Sequence, residues 1–148
     1  MILQKNTANR LGIFVFYDKD GIADEYNFYF IEELKKQVSR LLVICNGDVE
    51  EEAGKRFSRI ADEVMMRGNE GFDITAYHLG LKKYGYNRDG KFDEVIICNS
   101  TMFGPVYPFR EMFEKMAVRD LDFWGITNFH EVPFDPFGTV KYGMLPKH

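Results

Sequence analysis

Residues 93–105 contain the pattern that most restricts what this chain can fold into. The apolar run Val95 to Cys98 has acids before it and stops at three polar residues, Asn99 to Thr101, and a Gly104-Pro105 turn follows. This pattern is typical of a buried parallel strand that delivers polar side chains to the carboxyl edge of a sheet. Ligands bind at that edge in open α/β sheets, so the segment predicts both a fold class and the place of a site.

Apolar runs and helical periodicities alternate along the rest of the chain. Strands are predicted over 11–17, 40–45, 62–67, 95–98 and 122–126, and helices over 25–39, 48–60, 73–84 and 108–117. Alternation at this spacing predicts an α/β fold, in which a mostly parallel, Rossmann-like sheet lies between two helical layers in a three-layer α/β/α arrangement. Asp73 is expected to be the N-cap of the third helix.

The length of 148 residues predicts one domain, because it is close to the commonest domain size. We expect residues 1–10 to form an N-terminal tail and residues 131–148 an irregular C-terminal segment, since the latter holds three of the five prolines and has no regular period. A chain that ends without a closing element is typical of part of a longer polypeptide, although a short complete protein would look the same.

Composition and charge exclude several classes of function. A net charge of -4 argues against a nucleic-acid-binding protein, since phosphate neutralisation requires a clustered basic face. The sequence has no apolar run of the ~18 residues that a transmembrane helix needs, and no signal-peptide pattern. These features predict a cytoplasmic chain without a transmembrane segment. Cys45 and Cys98 end apolar runs and lack zinc-binding spacing, so we expect buried, reduced thiols.

Aromatic residues make up 16% of the chain, with 14 Phe, 8 Tyr and a single Trp. Most of them lie at strand or helix-face positions, which favours the interpretation that they fill a small core. The other interpretation, that some are stacking surfaces for a ring-shaped ligand, stays open. Trp124 illustrates both, because it is expected in the core and could also stack on a sugar ring.

Four separated motifs together resemble one known family. They are FYDKDGIADEY (16–26), RGNEGFD (67–73), NSTMFGPVYPF (99–109) and DFWGIT (122–127). In this order and spacing they resemble the rhamnan synthesis protein F family, which contains glycosyltransferase-like proteins of bacterial cell-surface polysaccharide synthesis. The resemblance extends from about Leu11 to about His130. An unrelated nucleotide-binding α/β domain would require the four motifs to agree by coincidence.

The resemblance implies a glycosyltransferase domain of the GT-A type, which binds a nucleotide-sugar donor at the carboxyl ends of its strands. The donor would be a dTDP- or UDP-sugar, with dTDP-rhamnose the one the family suggests, and the acceptor a saccharide or a lipid-linked saccharide. Other parts of a longer protein would hold the domain at the inner face of the membrane. The rival interpretation is a catalytically weak or inactive nucleotide-sugar-binding or scaffolding domain of a polysaccharide-assembly protein.

The resemblance also implies a role for each candidate site residue. Asp18 would contact the base or ribose, and Asn69, Gly71 and Asp73 would seat the donor. Asn99 and Ser100 would face the diphosphate, with Gly104 in the adjoining turn and Trp124 against a sugar. The alternatives from the residues alone are a solvated turn at Asp18, an ordinary loop capped by Asp73, and a polar strand end at Asn99 to Thr101.

Two further implications concern catalysis. GT-A enzymes hold Mg²⁺ or Mn²⁺ with aspartates at this edge, and family members commonly read Asn-Asp-Ser where this chain reads Asn99-Ser100-Thr101. Ser100 supplies no negative charge, so metal binding is expected to be weak, and Ser100→Asp is expected to strengthen metal-dependent nucleotide binding. The general base of an inverting enzyme is expected near the late loop, where His130, Glu131 and Asp135 are the candidates.

Overall fold

The computed structural model describes residues 8–84 and 91–127, which form four strands alternating with four helices. The elements are β1 (Arg10–Tyr17), α1 (Glu25–Lys35), β2 (Arg40–Asn46), α2 (Glu51–Ile60), β3 (Glu63–Arg67), α3 (Phe72–Lys83), β4 (Glu94–Asn99) and α4 (Phe109–Ala117). All strand pairs are parallel, and the strand order is β3-β2-β1-β4. The predicted α/β class and three-layer arrangement are confirmed.

The sheet reverses its order beside β1. From β1 the chain adds β2 and then β3 on one side, and it then crosses back to place β4 on the other side of β1. The strand order therefore reverses between β1 and β4, and the loops that follow these two strands both lie at the carboxyl edge. This is the position where open α/β sheets bind ligands.

The two faces of the sheet bury separate apolar clusters. Beneath α1, α2 and α4 lies an aromatic cluster that includes Phe14, Phe16, Phe28, Phe57 and Phe113. Beneath α3 lies an aliphatic cluster of Ile13, Val15, Leu42, Ile44 and Ala76. β1 and β2 are apolar on both faces because helices cover both. On α3, a Cβ at Gly80 would lie 3.0 Å from Ile13 Cδ1, so a residue without a side chain allows close helix packing there.

The predicted fifth strand over 122–126 is wrong. Residues 118–127 form no strand; instead, Trp124 packs edge-on against Phe113 of α4, with ring centroids 5.5 Å apart. Phe123 is 88% exposed. A short apolar run is compatible both with a strand and with a loop that inserts one large side chain into the core. In this segment the side chain that packs into the core is the indole of Trp124.

Several boundaries also differ from the predictions; for example, the second helix begins at Glu51 rather than at Asp48. The first helix ends at Lys35 rather than at Ser39. The third helix begins at Phe72, its N-cap is Gly71 in the left-handed region with φ of +72°, and Asp73 lies in its first turn. Glycine takes this conformation at little cost, so the chain enters the helix without a side-chain cap. The carboxylate of Asp73 still lies near the positive end of the helix dipole.

The two cysteines are free and buried, as predicted. Cys45 lies in β2 and Cys98 in β4, and β1 runs between these strands. Burial raises the pKa of both thiols to about 12, so both are protonated at neutral pH.

No helix within residues 8–84 and 91–127 combines the length and the apolar character that a membrane crossing requires.

Candidate functional site

Polar or aromatic residues end all four strands at one edge of the sheet. The last residues of β1, β2, β3 and β4 are Tyr17, Asn46, Arg67 and Asn99. The sheet register aligns Tyr17 with Asn46 and Asn46 with Arg67, so these three form a row across neighbouring strands. Because all the strands are parallel, this row lies at the carboxyl edge.

The row faces α3. The residues two positions earlier in each strand, Val15, Ile44 and Met65, belong to the cluster beneath α3. Side chains alternate along a strand, so Tyr17, Asn46 and Arg67 point to the same face. The first turn of α3 begins above this face, since α3 follows directly on β3. The edge therefore brings together a strand-end row and a helix N-terminus.

Asn46 is fully buried, and one hydrogen-bond donor of its side chain is unsatisfied. Its Oδ1 accepts a 2.6 Å hydrogen bond from the Arg67 guanidinium, whereas its Nδ2 has no partner among the described residues. The one other buried side-chain atom without a partner in residues 8–84 and 91–127 is Oδ1 of Asn27 in α1. An unsatisfied buried donor costs about 1–3 kcal/mol, which a ligand oxygen would offset.

Arg67 holds a positive charge at the same place. Its side chain is 11% exposed, and its guanidinium also donates to the carbonyl oxygen of Glu70 and lies 3.9 Å from the Glu70 carboxylate. Its own carbonyl accepts a 2.7 Å hydrogen bond from the Gly47 N–H, which joins the ends of β2 and β3. A guanidinium has five N–H donors in a planar fork, so Arg67 can bind a further acceptor while it keeps these contacts.

The loop from Gly68 to Phe72 shapes the entry to α3. A Cβ at Gly71 would lie 2.0 Å from Thr75 Oγ1, so the turn requires glycine. Phe72 also adopts a left-handed φ of +53° and exposes its ring. Phe72 N–H donates to the Asn69 carbonyl, and no side chain caps the helix. The first turn of α3 thus offers backbone N–H groups and positive potential to an anion.

Asp73 and Asn99 connect α3 to β4. Asn99 Nδ2 donates a 2.8 Å hydrogen bond to Asp73 Oδ2. Asn99 Oδ1 in turn accepts hydrogen bonds from the backbone N–H and the hydroxyl of Thr101, at 3.3 and 2.7 Å. The amide is therefore fixed in one orientation, with its NH₂ toward the carboxylate.

Ser100 has a structural environment rather than the ligand-facing one that we expected. It is 7% exposed, and its hydroxyl accepts from Tyr17 N–H and donates to Tyr17 O, both at 3.3 Å. Its N–H donates to Val15 O, and its carbonyl accepts from the Tyr26 hydroxyl. Every polar group of Ser100 is used to join the ends of β1 and β4 to α1, which leaves none for a diphosphate.

Asp18 follows β1 and organises the turn after it. Its Oδ1 accepts hydrogen bonds from the backbone N–H groups of Ile22 and Asp20, at 3.0 and 2.9 Å. These bonds to the charged form hold the pKa of Asp18 below its usual value. Both the solvated-turn interpretation and the nucleotide-contact interpretation fit this geometry, because Asp18 is partly exposed at the turn after β1.

The residues at this edge do not fit a divalent cation site. No group of three His, Cys, Asp or Glu side chains that could hold a metal occurs within the described ranges. Asp73 supplies the one carboxylate beside Asn99, and both polar atoms of the Asn99 amide are engaged. Mg²⁺ and Mn²⁺ prefer several hard, charged oxygen ligands, which this donor set does not provide.

Trp124 lies at the opposite end of the sheet from the other candidate residues. Its Nε1 donates a 2.9 Å hydrogen bond to Glu94 Oε1, and Glu94 begins β4. Glu94 and Asn99 are five positions apart, so the partner of the indole lies about 16 Å along the strand from the carboxyl edge. Trp124 is therefore a packing residue in this structure and does not contribute to the candidate site.

A cleft of about 620 Å³ runs beside β4. It is lined by residues 93–98, by α1 and α4, by Met102 of the loop after β4, and by residues 119 and 121–127; the strand-end residues Tyr17, Asn46, Arg67 and Asn99 do not line it. β4 has no strand partner on this side within the described part of the chain. The cleft is thus the uncovered flank of the sheet, and the strand-end row carries the chemistry.

The remaining predicted residues divide into two groups. Asn69, Gly71 and Gly104 lie in loops that follow β3 and β4 at the carboxyl edge. His130, Glu131 and Asp135 lie outside the described residues. Sequence reasoning missed Asn46 and Arg67, although Arg67 begins the RGNEGFD motif and the pair Asn46-Gly47 is typical of a turn.

Comparison with known proteins gives one match. A family model described as rhamnan synthesis protein F matches residues 41–148, and no curated protein and no solved structure matches the chain. The matched region begins in β2 and includes three of the four motifs, and the motif at the end of β1 lies outside it.

Proposed function

Because the chain belongs to the rhamnan synthesis protein F family, we propose that it is a glycosyltransferase domain that transfers a sugar from a nucleotide-sugar donor. Membership assigns the chain to rhamnan synthesis, and so to polysaccharide biosynthesis. The transferred sugar in this proposal is rhamnose, and the acceptor is a saccharide or a lipid-linked saccharide. A cytoplasmic location is part of the proposal.

The buried amide of Asn46 beside Arg67 is the observation that carries the proposal. The Asn46 Nδ2 donor has no partner among the described residues, the Arg67 guanidinium bonds to the same amide, and the half-exposed ring of Tyr17 is next to Asn46 in the row. A uracil or thymine ring has carbonyl oxygens to accept both donors and a flat face to stack on tyrosine. These features favour a dTDP- or UDP-sugar.

The other residues of the edge have roles that follow from their position. The diphosphate would lie at the N-terminus of α3, where Gly71 permits close backbone approach and the helix offers free N–H groups. Asp73, held by Asn99, would accept hydrogen bonds from donor-sugar hydroxyls. Asp18 would contact the ribose through Oδ2. Ser100 has no ligand contact in this scheme, because its polar groups are occupied.

The reaction exchanges one bond for another at the anomeric carbon. An acceptor hydroxyl oxygen forms a bond to that carbon in line with the departing diphosphate, which leaves with the electron pair of the broken bond. The hydroxyl proton passes to a general base, for which His130, Glu131 and Asp135 remain the candidates. The N-terminus of α3 would stabilise the charge that develops on the diphosphate. No step requires a metal ion, since the donor set does not fit one.

Turnover of a panel of sugar nucleotides tests the proposal. dTDP-rhamnose, UDP-glucose and a CDP-sugar are each incubated with the protein and a rhamnose disaccharide, with and without Mn²⁺, and release of nucleoside diphosphate is followed. The proposal predicts release from a dTDP- or UDP-sugar that depends on the acceptor and changes little with Mn²⁺. Release that requires Mn²⁺, or preference for the CDP-sugar, would contradict it.

The second candidate function is a nucleotide-sugar-binding or scaffolding domain without turnover. The neutral Asn99 and Ser100 favour it, since they lie where the resemblance implies a metal-binding acid. The two functions differ in one observable outcome. A binding domain would take up dTDP or UDP in calorimetry and release no product in the turnover assay.

A further inference from the structure

The loop that joins β4 to α4 exposes an unusual amount of apolar surface. In this loop, defined by residues 101–108, the Phe103 side chain is 78% exposed, and Val106 and Tyr107 are similarly open to solvent. Single exposed apolar residues are ordinary on a protein surface. Three within five residues form a patch, and such patches mark interaction sites.

Two tyrosines of α1 hold this loop in place. The Tyr26 hydroxyl donates a 3.0 Å hydrogen bond to the Ser100 carbonyl, and the Tyr29 hydroxyl donates a 3.3 Å bond to the Pro105 carbonyl. The rings of Tyr26 and Phe103 are stacked, with centroids 4.0 Å apart and planes inclined by 20°. Phe103 thus has one face against Tyr26 and the other face open to solvent.

The position of the loop connects it to the candidate site. Thr101 follows the last residue of β4 by two positions, and its hydroxyl donates to Asn99, the partner of Asp73. Ser100 joins the start of the loop to Tyr17 at the end of β1. The loop therefore begins at the carboxyl edge, next to Asn99 and Tyr17 of the candidate site.

We propose that loop 101–108 is the acceptor subsite and that the open face of Phe103 stacks on the apolar face of a pyranose ring. The inference rests on the proposed function for the class of ligand, a saccharide. A flat ring held on one side offers a preorganised surface to the C–H groups of a sugar, and 6-deoxy sugars such as rhamnose add a methyl group to that surface.

The lack of basic residues in the loop helps to decide whether its ligand is a saccharide or a lipid surface. Residues 101–108 read TMFGPVYP and contain no lysine or arginine. Peripheral attachment to anionic lipids relies on basic residues next to inserted apolar ones. A neutral sugar requires none, so the composition of the loop favours the saccharide.

Ligand-detected NMR on the whole chain tests the subsite. Saturation transfer is measured to methyl α-L-rhamnopyranoside for the wild type, Phe103→Ala, Phe103→Trp and the matched control Phe123→Ala, whose ring is 88% exposed far from the site. We expect Phe103→Ala to reduce the signal at least threefold, and Phe103→Trp and Phe123→Ala to keep it. Thermal melts verify that each variant is folded, and Tyr107→Ala gives a second, independent reduction that leaves the Tyr26 stack intact.

Three results would overturn the subsite. The first is an unchanged rhamnoside signal in Phe103→Ala, and the second is a loss of signal in Phe123→Ala as large as that in Phe103→Ala. The third is a Phe103→Ala variant that no longer binds anionic vesicles but still binds the saccharide. Calorimetry with dTDP and UDP on the same variants separates this proposal from the donor site. If the rhamnoside signal depends on Phe103 while no nucleotide binds, the donor proposal fails and the subsite stands. If nucleotides bind and the rhamnoside signal is the same in the wild type and in Phe103→Ala, the subsite proposal is refuted and the donor proposal is not.

Discussion

Asn99 at the end of β4 donates a 2.8 Å hydrogen bond from Nδ2 to Oδ2 of Asp73 in the first turn of α3. The partner of the Asp73 carboxylate is therefore a neutral amide and not a second carboxylate. The Asp73 carboxylate is therefore held in a fixed orientation beside a neutral amide, and this arrangement suits hydrogen bonding to a sugar better than coordination of a cation.

Asn99→Asp is predicted to convert this pair into a carboxylate pair. Two carboxylates at hydrogen-bonding distance cannot both ionise without cost, so we expect a loss of about 1–2 kcal/mol at pH 7 that shrinks toward pH 4. Mn²⁺ should restore stability, because the variant gains the second charged ligand. Thermal melts across pH, with and without Mn²⁺, measure both effects.

Asn99→Ala is the control for that variant. It removes the hydrogen bond without adding charge, so its loss of stability should depend little on pH and should not respond to Mn²⁺. Identical pH and Mn²⁺ profiles for the two variants would show that Asp73 does not face position 99 in solution.

Ser100 variants test the structural role of that hydroxyl. Ser100→Ala leaves Tyr17 N–H without its acceptor and should cost about 1–3 kcal/mol. Ser100→Asp buries a charge and should cost more, without strengthening metal-dependent nucleotide binding. Thr101→Ala, at the exposed neighbouring position, should cost less than Ser100→Ala. Denaturant unfolding gives the three values, and metal-dependent nucleotide binding gained by Ser100→Asp would reverse our assignment.

Glu94 supports the amino end of the sheet and has no role at the site. It accepts hydrogen bonds from Arg10 Nε at 2.6 Å and from Trp124 Nε1 at 2.9 Å. Glu94→Ala leaves the largely buried Arg10 guanidinium without its carboxylate partner, so we expect the free energy of unfolding to fall by about 3 kcal/mol. Because Trp124 also loses its hydrogen-bond acceptor, we expect a red shift of its fluorescence. Nucleotide affinity should not change. Glu51→Ala, in an exposed ion pair with Lys55, should leave both stability and fluorescence unaltered.

Asp18 contributes a stability that depends on pH. Backbone N–H groups of Ile22 and Asp20 lower the pKa of this carboxyl below its ordinary value of 3.8. A group with a depressed folded pKa stabilises the protein above its unfolded pKa, and this contribution is lost as pH falls through the folded pKa. Asp18→Asn should therefore be less stable than wild type above pH 4 and match it more closely at lower pH. A constant difference from pH 2 to pH 7 would refute the depressed pKa.

The sequence predicts the frame of the fold well because the signals for the first, second and fourth strands are continuous apolar runs. The runs of β1 and β2 are buried between helices on both faces, whereas β4 lies at the end of the described strand order and leaves Ile97 54% exposed. The predicted strand at 122–126 fails for the opposite reason, since one indole, Trp124, accounts for the burial of the segment.

The candidate site is predicted only in part because side-chain direction decides it. Asn99 and Ser100 are adjacent in sequence, yet alternation along the strand turns the first toward α3 and the second into the contact between β1 and β4. Asn46 was missed because an Asn-Gly pair is also a turn signal. Its unsatisfied amide appears only when burial and hydrogen-bond partners are known.

Calorimetric titration of dTDP and UDP against Arg67 variants tests the central claim most directly. Arg67→Lys keeps the charge and loses the planar fork, so we predict a Kd at least tenfold higher, a loss of about 1.4 kcal/mol. Arg40→Ala, at the other end of the sheet, should bind as wild type, and CDP should bind more weakly than UDP. A wild-type protein that binds neither dTDP nor UDP, or an Arg67→Lys variant that binds them unchanged, would contradict a nucleotide-sugar site at this edge.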